Sequence, residues 1–197
     1  LFISRTTVVR ARAFKEEMTP TNVDTHTYLF PGTVREQKTL PYDYPAPPPE
    51  GVSRRATSLA PRPDLDIEID PDIVASDNNE EFVEGLTSIP TLSLVMDAEH
   101  LFDSERGLYF EGFPRVRAGS VELIYPAREM FSDFEGFQID CAVKPHSRMY
   151  GVQTKGIQKR SLRLVFSKSY GPGKLRYPLF ESAVQHAESA ASEFDTI

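Results

Sequence analysis

Cysteine is nearly missing from this chain: Cys141 stands alone among 197 residues. A lone thiol excludes an internal disulfide and any four-cysteine zinc site. Histidine is sparse too. His26, His100, His146 and His186 are scattered, with no pair at helical or zinc-finger spacing, so a histidine-based metal site would have to be assembled by tertiary structure alone. Tryptophan is absent and tyrosine is scattered, so the sequence shows no aromatic platform of the kind sugars stack on. Apolar runs extend over a few residues only, against the roughly 20 a bilayer-spanning helix requires, and no membrane span is expected. The opening LFISRTTVVRARAF breaks any apolar signal-peptide core with Arg and Thr and lacks an initiator Met; the expectation is a removed leader or a start within a longer protein.

What is present is a hydrophobic content of 40%, enough to bury a core in one large domain or two small ones, and a net charge of −7 that hides a strong segregation. Between Cys141 and Phe180 there are nine basic residues (Lys144, Arg148, Lys155, Lys159, Arg160, Arg163, Lys168, Lys174 and Arg176) and no Asp or Glu. Setting those nine aside leaves 13 basic against 29 acidic residues, a balance of −16 for the rest. That remainder would repel a long polyphosphate, so nucleic acid is not an expected partner, whereas a small anion fits the basic window.

Along the chain, TTVVRARAFK reads as a strand with Val9, Ala11 and Ala13 on one face, EMTPTN as a turn, and VDTHTYLF as a returning strand with Val23, Thr25, Thr27 and Leu29 on one face. Two strands alone make no stable module, and the pair reads as the tail of a β-sandwich. Prolines crowd the stretch from Pro31 to Pro63, most densely in LPYDYPAPPPEGVSRR, and predict a semi-rigid linker. Nine acids and no base follow between Asp64 and Glu84. There Leu65, Ile67 and Ile69 alternate with Asp66, Glu68 and Asp70 as in a short strand, and Asp77 to Leu86 suits a short helix. A calcium loop is not supported, since no register joins glycine at the sixth position to glutamate at the twelfth. Thr91 to Met96 predicts a buried strand, Asp97 the start of a helical turn. GLYFEGF, AGSVELIYP, GFQIDCAVKP and SLRLVFS continue the strand series. Phe137, Ile139, Cys141 and Val143 share one face, which makes Cys141 a packing residue; Leu162, Leu164 and Phe166 point inward and Arg163 outward.

Gly171-Pro172-Gly173-Lys174 predicts a type II turn folding KLRYPLF back on the preceding strand. It is not a phosphate loop: Lys168 stands where the first Walker glycine belongs, Leu175 replaces the Ser or Thr, and Arg176 breaks a dinucleotide fingerprint. Glu181 to Ser192 reads as a helix or an insertion, and EFDTI as a β-leaning segment. No Gly-x-Ser-x-Gly elbow occurs, and nothing singles out a catalytic carboxylate pair. The cationic window has two readings. Its side chains are the exposed members of alternating strands, or they meet an anion or the chain's own acidic segment, because like charges facing one another across a hairpin need neutralising. Lys159 and Arg163, four apart, share a strand face and converge on a phosphate in the second reading.

These segments resemble two known families. ISRTTVVRARAFKEEMTPTNVDTHTYLF is similar to the closing strands of the chitobiase/beta-hexosaminidase C-terminal domain, an Ig-like sandwich of secreted and surface proteins. LDIEIDPDIV, SIPTLSLVMDAEHLFDSERGLYFEG, SVELIYP, GFQIDCAV and KRSLRLVFSKSYGPGKLRYPLF resemble the N-terminal part of a CotH kinase-like (spore-coat protein H) domain, with IPTLSLVMD and SLRLVFSKSYGPGKLRYPLF the most specific strings. The resemblance implies an atypical kinase-like N-lobe whose metal-binding and catalytic carboxylates lie beyond Ile197, with ATP and Mg²⁺ as cofactors and a protein substrate. Ser147-Arg148, Lys159 and Ser161-Leu162-Arg163 match the family's pattern, so Arg148, Lys159 and Arg163 are the implied nucleotide-binding residues. Lys144-Pro145-His146 stands where paired glycines are usual, and Leu162 where an aromatic is.

The expected fold is therefore α+β and mainly β: a sandwich remnant over residues 1–31, a linker over 32–63, and the front of a CotH-like domain over 64–197. The expected function is that of a fragment of an exported or cell-surface phosphotransferase, inactive by itself. The alternative is a non-catalytic surface module, structural or carbohydrate-associated.

Overall fold

The computed structural model describes residues 1–36, 69–75, 79–102, 107–108, 116–146, 161–180 and 191–197. They form a mainly β, antiparallel structure with a few short helices. β1 (Thr7–Ala11) and β2 (Asp24–Tyr28) pair as a hairpin, Val9 opposite His26. Thr25 is buried and Thr27 half-buried, while Asp24, His26 and Tyr28 are exposed, the alternation read from VDTHTYLF. The connection bends through Glu17, a non-glycine residue at φ 61°, and is closed by Thr21 donating to the Ala13 carbonyl at 3.2 Å.

Where the linker was predicted to begin, Pro31 opens a helical turn, α1 (Pro31–Val34), because its fixed φ suits the first helical position. The proline-dense stretch that follows lies outside the described residues, as does most of the predicted acidic strand. Its last two residues, Ile69 and Asp70, lead irregularly into α2 (Pro71–Ala75), where the Asp70 carboxylate accepts from the Asp72 amide at 2.9 Å. α3 (Asn79–Leu86) falls within the predicted helix, and β3 (Thr91–Val95) and α4 (Ala98–Phe102) lie either side of Asp97 as expected, but β3 is not the buried strand predicted: as the end strand of its sheet it has no buried residue, and Leu92 is 51% exposed. β4 (Arg117–Ile124), β5 (Phe137–Pro145) and β6 (Leu162–Val165) complete a four-stranded sheet in the order β3-β4-β5-β6. The predicted strand GLYFEGF lies outside the described residues except for Gly107 and Leu108. No helix among the described residues is long and apolar enough to cross a membrane.

The chain divides into two compact units. The first contains the hairpin, α1, α2, α3, β3 and Ser120–Gln138. In it the outer edge of β2 is satisfied by side chains: the Thr27 amide donates to Glu122 Oε2 at 2.7 Å, and the hydroxyls of Thr27 and Ser93 bond at 2.7 Å. Arg35 donates to the Val74 carbonyl at 2.7 Å, placing a cation at the end of α2, where the helix dipole favours it.

The second unit contains α4 and the described residues of Ile139–Ile197. Its core is the inward face predicted from the two-residue period: Ile139, Cys141, Val143, Leu164 and Phe166 are buried. Burial, aided by the charge of Asp140, pushes the Cys141 thiol up to about 12. It therefore remains protonated and inert. Native protein at pH 8 is expected to react with a thiol reagent at least ~100-fold more slowly than the denatured chain; equal rates would remove Cys141 from the core.

Two local expectations are corrected here. KLRYPLF does not fold back on β6. Instead β7 (Leu175–Arg176) pairs with β8 (Glu193–Phe194), Leu175 opposite Phe194 and Arg176 opposite Glu193. The residues after β8 take the β6 edge: Leu164 and Ile197 exchange both backbone hydrogen bonds, at 2.8 and 3.0 Å, and Phe166 donates to the Asp195 carbonyl at 2.9 Å. Nor is a type II turn formed, since Gly173 does not adopt the positive φ that its third position demands. The glycine that matters is Gly171, where a Cβ would lie 2.5 Å from the Asp140 carbonyl oxygen, so close packing on β5 is what requires it.

Candidate functional site

Of the cationic window, the described residues place Lys144 on β5, Arg163 on β6 and Arg176 on β7. Because Val143 and Leu164 are paired and buried, the next pair along, Lys144 and Arg163, is forced onto the opposite face of the sheet, side by side. Both are half-buried. The ladder then runs one step beyond Pro145, with the His146 amide donating to the Ser161 carbonyl at 2.9 Å. His146 thereby joins Lys144 and Arg163 on that face. Its Nδ1 lies 3.0 Å from Arg163 Nη2 and 3.3 Å from Arg163 Nε. Among the described residues, no carboxylate pairs with Lys144 or Arg163. Like charges directly opposite on an antiparallel pair destabilise it, so this face has surplus positive potential.

Two further cations of the window, Lys174 and Arg176, are different. Lys174 lies 3.5 Å from Glu193 and 3.9 Å from Asp195, and Arg176 lies 3.1 Å from Glu193. These cations are matched by acids that arrive on β8 and just after it, thirteen or more residues beyond the window's end at Phe180. All four side chains are well exposed, so each pair adds about 0–1 kcal/mol. Among the described cations of the window, carboxylates stand beside Lys174 and Arg176 and none beside Lys144, Arg163 or Lys168, so the expectation of an uncompensated basic window is corrected at Lys174 and Arg176; Arg148, Lys155, Lys159 and Arg160 lie outside the described residues.

Compared with known protein families, with characterised proteins and with solved structures, the chain matches none.

Of the three residues implied to bind nucleotide, Arg163 has the geometry just given, and Arg148 and Lys159 lie outside the described residues. The convergence of Lys159 with Arg163 therefore falls outside them too. The residue beside Arg163 that sequence reasoning did not select is Lys144. Its signal was available: once Val143 and Leu164 are taken as core, antiparallel pairing sets Lys144 against Arg163. The described residues contain no cluster of three His, Cys, Asp or Glu side chains able to hold a metal ion.

The first unit contains a feature that tyrosine counting also missed. A 3-10 turn at Glu129–Phe131 brings Tyr125, Phe131 and Phe134 together, Tyr125 and Phe134 stacked with centroids 5.2 Å apart and Phe131 edge-on to Phe134 at 6.2 Å. Beside Tyr125 is an open groove of about 410 Å³, lined by apolar side chains including Leu29, Leu86 and Ile124 and by Arg128. Arg128 donates to Thr87 Oγ1 and lies 3.8 Å from Glu84 Oε1, so its charge is already directed within the protein.

Proposed function

We propose that this chain is the front, N-lobe-like part of an exported CotH-like phosphotransferase and that its β5–β6 ribbon holds nucleotide phosphates. Arg163 is the contact residue, with Lys144 beside it and Arg148 and Lys159 assigned to the same role from the resemblance. The observation that carries the reading is the cross-strand Lys144–Arg163 pair with no carboxylate partner among the described residues. A phosphate oxygen is the chemical group that relieves such a pair, since guanidinium binds it through two parallel N–H donors and ammonium as a point charge. When ATP is bound, Mg²⁺ would neutralise charge on its phosphates, held by carboxylates that the resemblance assigns beyond Ile197. In this reading this chain's own residues bind and orient, the resemblance assigning the catalytic and metal-binding carboxylates beyond Ile197, and turnover by the chain alone is not expected.

Titration of the protein with ATP, with and without Mg²⁺, tests this by calorimetry. Lys144→Ala and Arg163→Ala should each weaken binding about tenfold, the loss of one charge-assisted contact. Lys144→Ala should not lower the melting temperature, because it removes a like-charge opposition; Arg163→Ala removes the same opposition together with the contact to His146, so the two effects offset. Absence of binding heat in the wild type, or affinities unchanged in both variants, would end the phosphate reading.

A second reading, a non-catalytic carbohydrate-associated surface module, is favoured by the gathered aromatics Tyr125, Phe131 and Phe134, the last 44% exposed. Glycan binding lost in Phe134→Ala and kept in Arg163→Ala would select it.

A further inference from the structure

We infer that His146 is a positioning residue for Arg163, aiming one edge of its guanidinium at a compact oxyanion of the phosphate or pyrophosphate class; this rests on the phosphate-holding reading of the ribbon. Guanidinium has donors only, so the imidazole nitrogen it meets must accept. Nδ1 of His146 receives Arg163 Nη2 at 3.0 Å and Nε at 3.3 Å, which fixes the ring as the tautomer protonated on Nε2. Nε and Nη2 form one edge of the guanidinium. With that edge held by the imidazole, no partner among the described residues takes the edge made by Nη1 and the second Nη2 hydrogen, and two parallel donors are the geometry a phosphate accepts.

Each part of the device is fixed by backbone. His146 is tied to Ser161 through its amide at 2.9 Å, and Arg163 is two residues further along the same strand. Register sets Lys144 opposite Arg163, so an ammonium group comes from the same face. An arginine free to sample its rotamers would lose that freedom on binding, whereas one already docked on a histidine has lost most of it beforehand. His146 contributes affinity without touching the anion.

Pyrophosphate, titrated calorimetrically into wild type, His146→Ala and His146→Gln, tests the inference, with ¹⁵N spectra of the histidine ring recorded on ligand-free protein. The expected result is binding by the wild type, a loss of about tenfold in His146→Ala, and recovery to within about threefold in His146→Gln, whose side-chain carbonyl accepts from the same guanidinium edge. The ring spectra should show an unprotonated Nδ1 and a protonated Nε2, with a larger share of the other tautomer in Arg163→Ala. Wild-type binding with undiminished affinity in His146→Ala overturns the positioning role alone, as does a glutamine variant as weak as alanine. Failure of the wild type to bind pyrophosphate overturns the underlying phosphate reading instead.

Discussion

Gly136→Ala is expected to destabilise the protein by about 3 kcal/mol and to lower its melting temperature by about 9 °C. A Cβ at this position would stand 2.0 Å from the Leu123 carbonyl oxygen and 3.1 Å from the Leu123 carbonyl carbon. Neither atom has room to retreat, because Leu123 belongs to β4 and is paired across the sheet with Leu92. The cost is steric and not conformational, since Gly136 does not occupy the left-handed region. Gly85 is the internal comparison. It lies within α3 and a Cβ there meets nothing within 4 Å, so Gly85→Ala should raise stability by about 0.5–1 kcal/mol through helix propensity. Chemical denaturation followed by circular dichroism separates the two; a Gly136→Ala protein as stable as wild type would mean that β4 and the loop before β5 do not meet as described.

Much of the fold was legible because its strands are half-buried and period two is a strong signal. Thr25 and Thr27 in β2, Ile139, Cys141 and Val143 in β5, and Leu164 and Phe166 in β6 all fall on the faces that alternation assigns. The short helix after the acidic stretch was legible from composition and the strand at Thr91 from its β-branched and apolar run. What could not be read were choices made between distant segments. KLRYPLF follows a Gly-Pro-Gly sequence that locally favours a return to β6, yet β7 pairs with residues 193–194 instead, and the chain beyond them occupies the β6 edge. A turn signature states where the chain bends, and the competition for an edge is decided by hydrogen bonds and charges that arrive later. Glu193 and Asp195 bring both, which is also why the basic window looked more exposed in sequence than it is in space. The Tyr125, Phe131 and Phe134 group was hidden for a related reason: six residues keep one strand face and three suit a helix, so no single period groups all three, and the intervening 3-10 turn makes them neighbours.

The candidate site depends on the same alternation, and Leu164→Ala is where that dependence can be measured. Leu164 is 6% exposed, opposite buried Val143, and its backbone is bonded in both directions to Ile197. Truncating it leaves the ladder intact and removes only side-chain packing, for an expected loss of about 3 kcal/mol, or about 9 °C in melting temperature. The consequence extends to Arg163. A slip of one residue in β6 would turn Arg163 toward the core and Leu164 toward solvent, and burial of Leu164 with Phe166 is what makes that slip unfavourable. Weakening the anchor should therefore loosen the guanidinium as well as the core. Phosphate affinity in Leu164→Ala is expected to fall several-fold at temperatures where the variant is still fully folded, whereas Val9→Ala, in the hairpin of the other unit, should leave it unchanged. Equal affinity in wild type and Leu164→Ala would separate the register of β6 from the site and leave Arg163 held by His146 alone.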